Sequence, residues 1–174
     1  MKNPILLTLF SLLFSILTVH AQDNSNGFPI SKHYIGLGAG FTTGFGISYR
    51  YVPQSFGIQI NLAPYYDKNN NSFVSAGFTL LQSIKEAPDH RVFVYFANSL
   101  LYQKTISTGY NYNYPYNSSS TTSVSSVYNT GVGLDFQFFN FNSPFVFDLM
   151  GGLGGYNSFE RFTFTGEFAI YYRI

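Results

Sequence analysis

The chain has 174 residues, of which 20% are aromatic and only 10% charged, against roughly 25% charged in a typical soluble domain. It contains no cysteine, which excludes a disulfide framework and a thiolate metal site. Its formal net charge of +1 offers no basic stripe to nucleic acid.

Residues 1–21 read as a secretory signal peptide: Lys2, an apolar run from Ile5 to Val19, then Val19-His20-Ala21 as the cleavage site. The run is shorter than the roughly 20 residues a spanning helix needs, and the residue after Ala21 is not the cysteine of a lipoprotein. Removal of Lys2 leaves eight basic against eight acidic side chains. Residues 22–32 are polar and are expected to form a periplasmic lead, with a single domain over 33–174.

Within that domain hydrophobicity alternates with period two, the mark of strands with two unlike faces. Eight strands are expected. The first, His33–Gly40, sets Ile35, Leu37 and Ala39 against three glycines. The second, Gly44–Val52, sets Phe45, Ile47, Tyr49 and Tyr51 against Gly46, Ser48 and Arg50. The third, Ser55–Tyr65, alternates most cleanly, with Phe56, Ile58, Ile60 and Leu62 opposing Gly57, Gln59, Asn61 and Ala63. The fourth is Ser72–Ile84. The fifth, Arg91–Lys104, is apolar on both faces near its start; Val92, Val94, Phe96, Leu100 and Tyr102 are assigned to one face, with Asn98 a misfit. The sixth, Ser125–Phe138, the seventh, Pro144–Gly154, and the eighth, Phe162–Ile174, each set large apolar side chains against glycines, small residues and single charges.

Connectors are short at Val52–Ser55, Lys85–His90 and Phe139–Ser143, and mostly longer at Tyr66–Asn71, Thr105–Val124 and Gly155–Arg161. Only Phe41–Thr43 is tight where a long loop is expected. The less apolar face is mostly Gly, Ser, Thr, Ala, Asn and Gln. Such residues suit the narrow interior of an eight-stranded barrel better than a water-exposed surface, which is richer in Lys and Glu. The phenylalanines and isoleucines then face lipid, with tyrosines near strand ends (Tyr51, Tyr65, Tyr66, Tyr102, Tyr156, Tyr172) as an interfacial girdle. A lipocalin-like soluble barrel would reverse these faces.

Signal peptide, alternating strands, short turns at one end and a last strand reading Tyr172-Arg173-Ile174 together resemble the small eight-stranded outer-membrane barrels of the OmpA-barrel and OmpX type. The fold class is thus all-β, an antiparallel up-and-down transmembrane β-barrel following a cleaved signal peptide. The resemblance implies export through the Sec pathway, residence in the outer membrane, outer-membrane lipid as surroundings, and the barrel assembly machinery as a partner during insertion. Phe168, Ile170, Tyr172 and Ile174 resemble the C-terminal signal that this machinery reads, although such strands most often end in Phe.

Chemistry-bearing residues are few. The interior face carries Arg50, Asp135, Asp148, Glu167 and Arg173. Unpaired charge in a narrow lumen is costly, so these are expected to form an ion cluster that plugs the barrel; a gate or proton path is the functional alternative. His33 and His90 lie near a rim with no matched Ser or Cys, and Glu86, Asp89 and His90 read as a solvated turn, so no catalytic, metal or cofactor residues are assigned. Gly151–Gly155 lacks the following helix that a phosphate loop needs. In Thr105–Val124, read as an outer loop, Tyr110, Tyr112, Tyr114 and Tyr116 alternate with Asn and Pro, a composition that suits binding loops and an extracellular ligand. The function expected is a monomeric, non-enzymatic outer-membrane barrel, structural or surface-adhesive. The alternative is a narrow pore or transport protein for small solutes, and an acyl-chain enzyme ranks third.

Overall fold

The computed structural model describes residues 32–66, 71–111, 117–140 and 142–174, with strand residues 66, 71, 107–111 and 117–120 described by backbone alone. The expected signal peptide and residues 22–31 of the lead lie outside the described residues. The chain forms one closed antiparallel barrel of eight strands in sequence order: β1 (His33–Gly40), β2 (Gly44–Tyr51), β3 (Phe56–Tyr66), β4 (Asn71–Glu86), β5 (His90–Asn111), β6 (Asn117–Phe139), β7 (Phe145–Tyr156) and β8 (Arg161–Arg173), which pairs back onto β1. Closure leaves no free edge around the ring.

Registers carry the alternation from strand to strand. Outside, Leu37 lies between Ile47 and Ile170, and Ile60 between Tyr49 and Phe78. Inside, Arg50 lies between Tyr34 and Gln59, and Ser48 beside Asn61. Both the outward apolar set and the inward polar set follow the predicted faces. In β5, Phe93 and Tyr95 are buried within the barrel and Phe96 and Leu100 are exposed outside it. Asn98, out of place by polarity, keeps the outer face that alternation gives it, and the Tyr128 hydroxyl donates to its side-chain oxygen across the β5–β6 pair.

The wall is uneven in height. β1 and β2 have eight residues each, while β5 has 22 and β6 has 23. The β5–β6 ladder continues to Asn111↔Asn117, whereas β4 last pairs at Asn71↔Thr105 and β7 at Thr130↔Gly155. This corrects the outer loop expected over Thr105–Val124: most of it is paired strand. Tyr110 belongs to β5, and Tyr112, Tyr114 and Tyr116 lie outside the described residues. Polarity suggested a loop, but Thr121 and Thr122, with β-branched side chains that suit strands, pair in register with Ser107 and Ile106. The loop expected over Gly155–Arg161 likewise shrinks to a turn at Asn157–Glu160.

Candidate functional site in the lumen

Buried at the heart of the barrel, Arg50 is completely enclosed. β2 aims it inward and the neighbouring strands supply its partners. Nε and Nη2 donate to Gln59 Oε1 at 3.1 and 2.6 Å. Nη1 lies 2.9 Å from Asp135 Oδ2 and 2.6 Å from Asp148 Oδ2. The guanidinium carbon lies 5.0 Å from the Tyr171 ring centroid and 5.9 Å from that of Phe93, so aromatic faces receive the cation where carboxylates do not. One planar fork thereby ties β2 to β3, β6 and β7. Tyr34, Leu81, Tyr95, Val146 and Met150 belong to the buried apolar cluster of the same interior.

Above this cluster the β1–β2 turn folds into the barrel. Thr42 and Thr43 are buried. The Thr42 backbone N–H donates to Glu167 Oε1 at 3.3 Å, and its hydroxyl donates to the same oxygen. The Phe41 carbonyl accepts from Ser99 Oγ at 2.5 Å and from Asn129 Nδ2 at 3.0 Å. Phe45 N–H donates to Ser75 Oγ at 2.9 Å, and Asn61 Nδ2 donates to the Gly44 carbonyl at 3.1 Å. Strands β3, β4, β5, β6 and β8 therefore all grip the turn. Two sequence features permit it: Gly44 takes a φ of +84°, open to glycine at little cost, and at Gly77 any side chain would collide with the Thr43 carbonyl. The predicted tightness of Phe41–Thr43 is thus a consequence of its place, inside the wall and not above it.

Of the five charges expected inside, Arg50, Asp135 and Asp148 meet as one cluster. Glu167 is buried but serves the turn. Arg173 is a correction: it donates to the Asn140 carbonyl at 2.8 Å and to that of Ser143. At the end of β8 it has reached the rim, where it closes the β6–β7 connection. A charge missed by the sequence reading is Arg91, buried on the inner face of β5 and 3.4 Å from Glu86 Oε1. Its phase with Phe93 and Tyr95 is the signal that could have placed it. Among the described residues several buried lumen atoms lack a hydrogen-bond partner: Arg91 Nη1, Asp135 Oδ1 and Glu167 Oε2. Buried polar atoms of this kind are ordinarily satisfied by ordered water.

Over the plug turn opens a cavity of about 550 Å³, lined by Phe41, Leu101, Val127 and Tyr156 among others. Tyr156 was expected in the outer girdle; it faces the lumen side instead, edge-on to Phe41 at 6.4 Å. At the opposite rim His33 Nδ1 lies 2.8 Å from the Tyr49 hydroxyl. In the β4–β5 turn the hydrogen bond with His90, at 2.8 Å, lowers the Asp89 carboxyl from its ordinary pKa. Among the described residues no group of three or more His, Cys, Asp or Glu is placed to hold a metal ion.

Geometry and interior together define a class: a closed eight-stranded antiparallel barrel, apolar outside and filled by its own polar side chains. Among solved structures the chain is similar to the N-terminal β-barrel domain of Pseudomonas aeruginosa OprF, with 15% identity over 82% of this chain and 95% of that one and a TM-score of 0.42. No family model and no curated protein matches the sequence.

Proposed function

We propose that this chain is an integral outer-membrane barrel with a sealed lumen, structural or surface-adhesive and without enzymatic activity. One observation carries the reading: the polarity of the barrel is inverted relative to a protein in water. Leu37, Ile47, Leu62, Phe147, Leu149 and Leu153 are each about half exposed or more on its outer face, while Arg50, Asp135, Asp148, Asn61 and Gln137 are buried within it. Apolar surface of this extent is tolerated in water only in small patches, whereas in lipid it is the surface required and a closed barrel satisfies every backbone group. The lumenal acids are engaged by Arg50 and by the plug turn, which supports a structural role for them. The β5–β6 hairpin, rising past its neighbours on one side, is the natural platform for an adhesive contact. A monomer in outer-membrane lipid, inserted by the barrel assembly machinery, completes the reading.

A narrow pore is the second reading, favoured by the partnerless polar atoms along the lumen. Two measurements separate the possibilities. Cell fractionation with a heat-modifiability gel should place the protein in the outer membrane and show faster migration without boiling; a soluble fraction with no shift sinks the membrane reading. Purified protein in planar bilayers should pass no steady current; a stable single-channel current would promote the pore.

A further inference from the structure

We propose that the cavity over the plug turn is a binding site for a small zwitterion with an apolar body, of the class of a free aromatic or aliphatic α-amino acid. It is a half-open hollow of about 550 Å³, large enough for a small ligand, with a largely apolar lining and a few polar groups as ligand sites have. Phe41 forms the floor, edge-on to both Phe45 and Tyr156 at 5.4 and 6.4 Å. Leu101 and Val127, paired across β5 and β6, form an apolar wall. Polar groups gather on the other side, where the β7–β8 turn brings Asn157, Glu160 and Arg161 to the mouth.

That turn is built at a cost. Asn157, Ser158 and Phe159 all have positive φ, at 52, 59 and 72°, a conformation that Asn visits readily but that Ser and Phe adopt only when the surroundings impose it. Ser158 N–H donating to the Tyr128 carbonyl at 2.9 Å and Asn157 N–H donating to Asn129 Oδ1 at 3.2 Å hold it down. The amide of Asn129 is consumed at both ends, by Asn157 and by the Phe41 carbonyl. The Asn157 side-chain N–H donates to Glu160 Oε2, which orients that carboxylate. Two charges are left facing the cavity. Both are exposed; among the described residues the Arg161 guanidinium has no ion-pair partner and the Glu160 carboxylate is engaged through one oxygen.

These two charges select the head group. A bare anion would meet Arg161 but be repelled by Glu160, and a bare cation the reverse. A compact zwitterion presents a carboxylate to the guanidinium and an ammonium to the carboxylate, with charge-assisted bonds at both. Its side chain then lies on Phe41 and Tyr156. Neither the lumenal ion cluster nor residence in a membrane enters this argument, so the site stands or falls separately from the function proposed above.

The chain contains no tryptophan, so tryptophan itself is a usable probe to which this chain adds no indole emission. Purified full chain in nanodiscs, with empty nanodiscs subtracted, is titrated with tryptophan, tryptamine and indole-3-propionate. Tryptophan should bind saturably at one site per barrel, and each single-charge analogue about tenfold more weakly or worse, the loss of roughly one charge-assisted contact. Arg161→Gln should lose a similar factor and Arg161→Lys less. Heat-modifiability certifies that each variant is folded. Should Arg161→Gln not fold, Glu160→Gln, at an exposed turn position, serves instead and should equalise tryptophan and indole-3-propionate. Absence of saturation, equal binding of all three probes, or an unchanged affinity in a folded Arg161→Gln protein would each overturn the proposal.

Discussion

Thr42 and Glu167 are 125 residues apart in sequence, yet the turn residue places both its backbone N–H and its hydroxyl on one carboxylate oxygen of the last strand. This pair fastens the plug turn to the wall. Thr42→Val keeps the shape and removes the hydroxyl, leaving a buried carboxylate with one donor fewer. The variant should lose roughly 1–3 kcal/mol in a urea refolding titration in lipid. A loss indistinguishable from zero would show that the Thr42 hydroxyl has no part in holding the turn.

Arg50 is the hub of the lumen. Arg50→Leu strands Asp135 and Asp148 in a confined space, a change that costs about 3–5 kcal/mol when one partner of a buried pair is removed. Arg50→Leu combined with Asp135→Asn and Asp148→Asn removes the orphaned charges as well and should recover a large part of that loss. The same titration checks it; a triple variant less stable than the single one would refute the ion-cluster account.

The faces of the wall can be tested by placing the same charge at two depths. Ile60 lies between Tyr49 and Phe78 on the outer face, so Ile60→Arg should cost about 2–4 kcal/mol if that position is near the bilayer midplane. Val124 is also exposed, but it pairs with Lys104 near the upper limit of β4, among groups that require water. Val124→Arg should be close to neutral. Equal penalties at both sites would place the hairpin base in lipid.

Topology is accessible because the chain has no cysteine. A single introduced thiol is therefore a clean label site. Thr121→Cys, exposed on β6 beyond the end of β7, should react with a membrane-impermeant maleimide in intact cells. Asp89→Cys, in the β4–β5 turn at the other rim, should react only after the outer membrane is breached. The opposite pattern of labelling would invert the orientation.

Asn61 shows how the interior resists being read position by position. On the inner face of β3 it looks replaceable by any small polar residue. It donates to the Gly44 carbonyl and accepts from Gln59 Nε2, joining the plug turn to the residue that holds Arg50. Asn61→Ser should therefore cost roughly 1–3 kcal/mol, the penalty for leaving buried partners unmatched, measured against Thr79→Val, an inner-face change that breaks no hydrogen bond among the described residues. A neutral Asn61→Ser would mean that water takes its place.

Strand positions and faces were legible in the sequence because period two is a local property: Phe56, Ile58, Ile60 and Leu62 can point together only in an extended chain. The inward location of Arg50, Asp135, Asp148 and Glu167 followed from the same alternation. What alternation cannot convey is depth along the barrel or which strands outgrow their neighbours. Arg173 has the right phase for the lumen but lies at the rim, so its guanidinium meets turn carbonyls. Ser and Thr around Thr121 are as polar as a loop, and only cross-strand pairing with Ile106 and Ser107 makes them a wall. Phe41–Thr43 is three residues long in sequence, and the burial of Thr42 and Thr43 depends on the height of β4, β5 and β6 around them. Periodicity determined the class of fold and its two faces. Which charges meet, and that the β1–β2 turn becomes a plug, was decided by closure of the ring, which brings together residues that no local pattern connects.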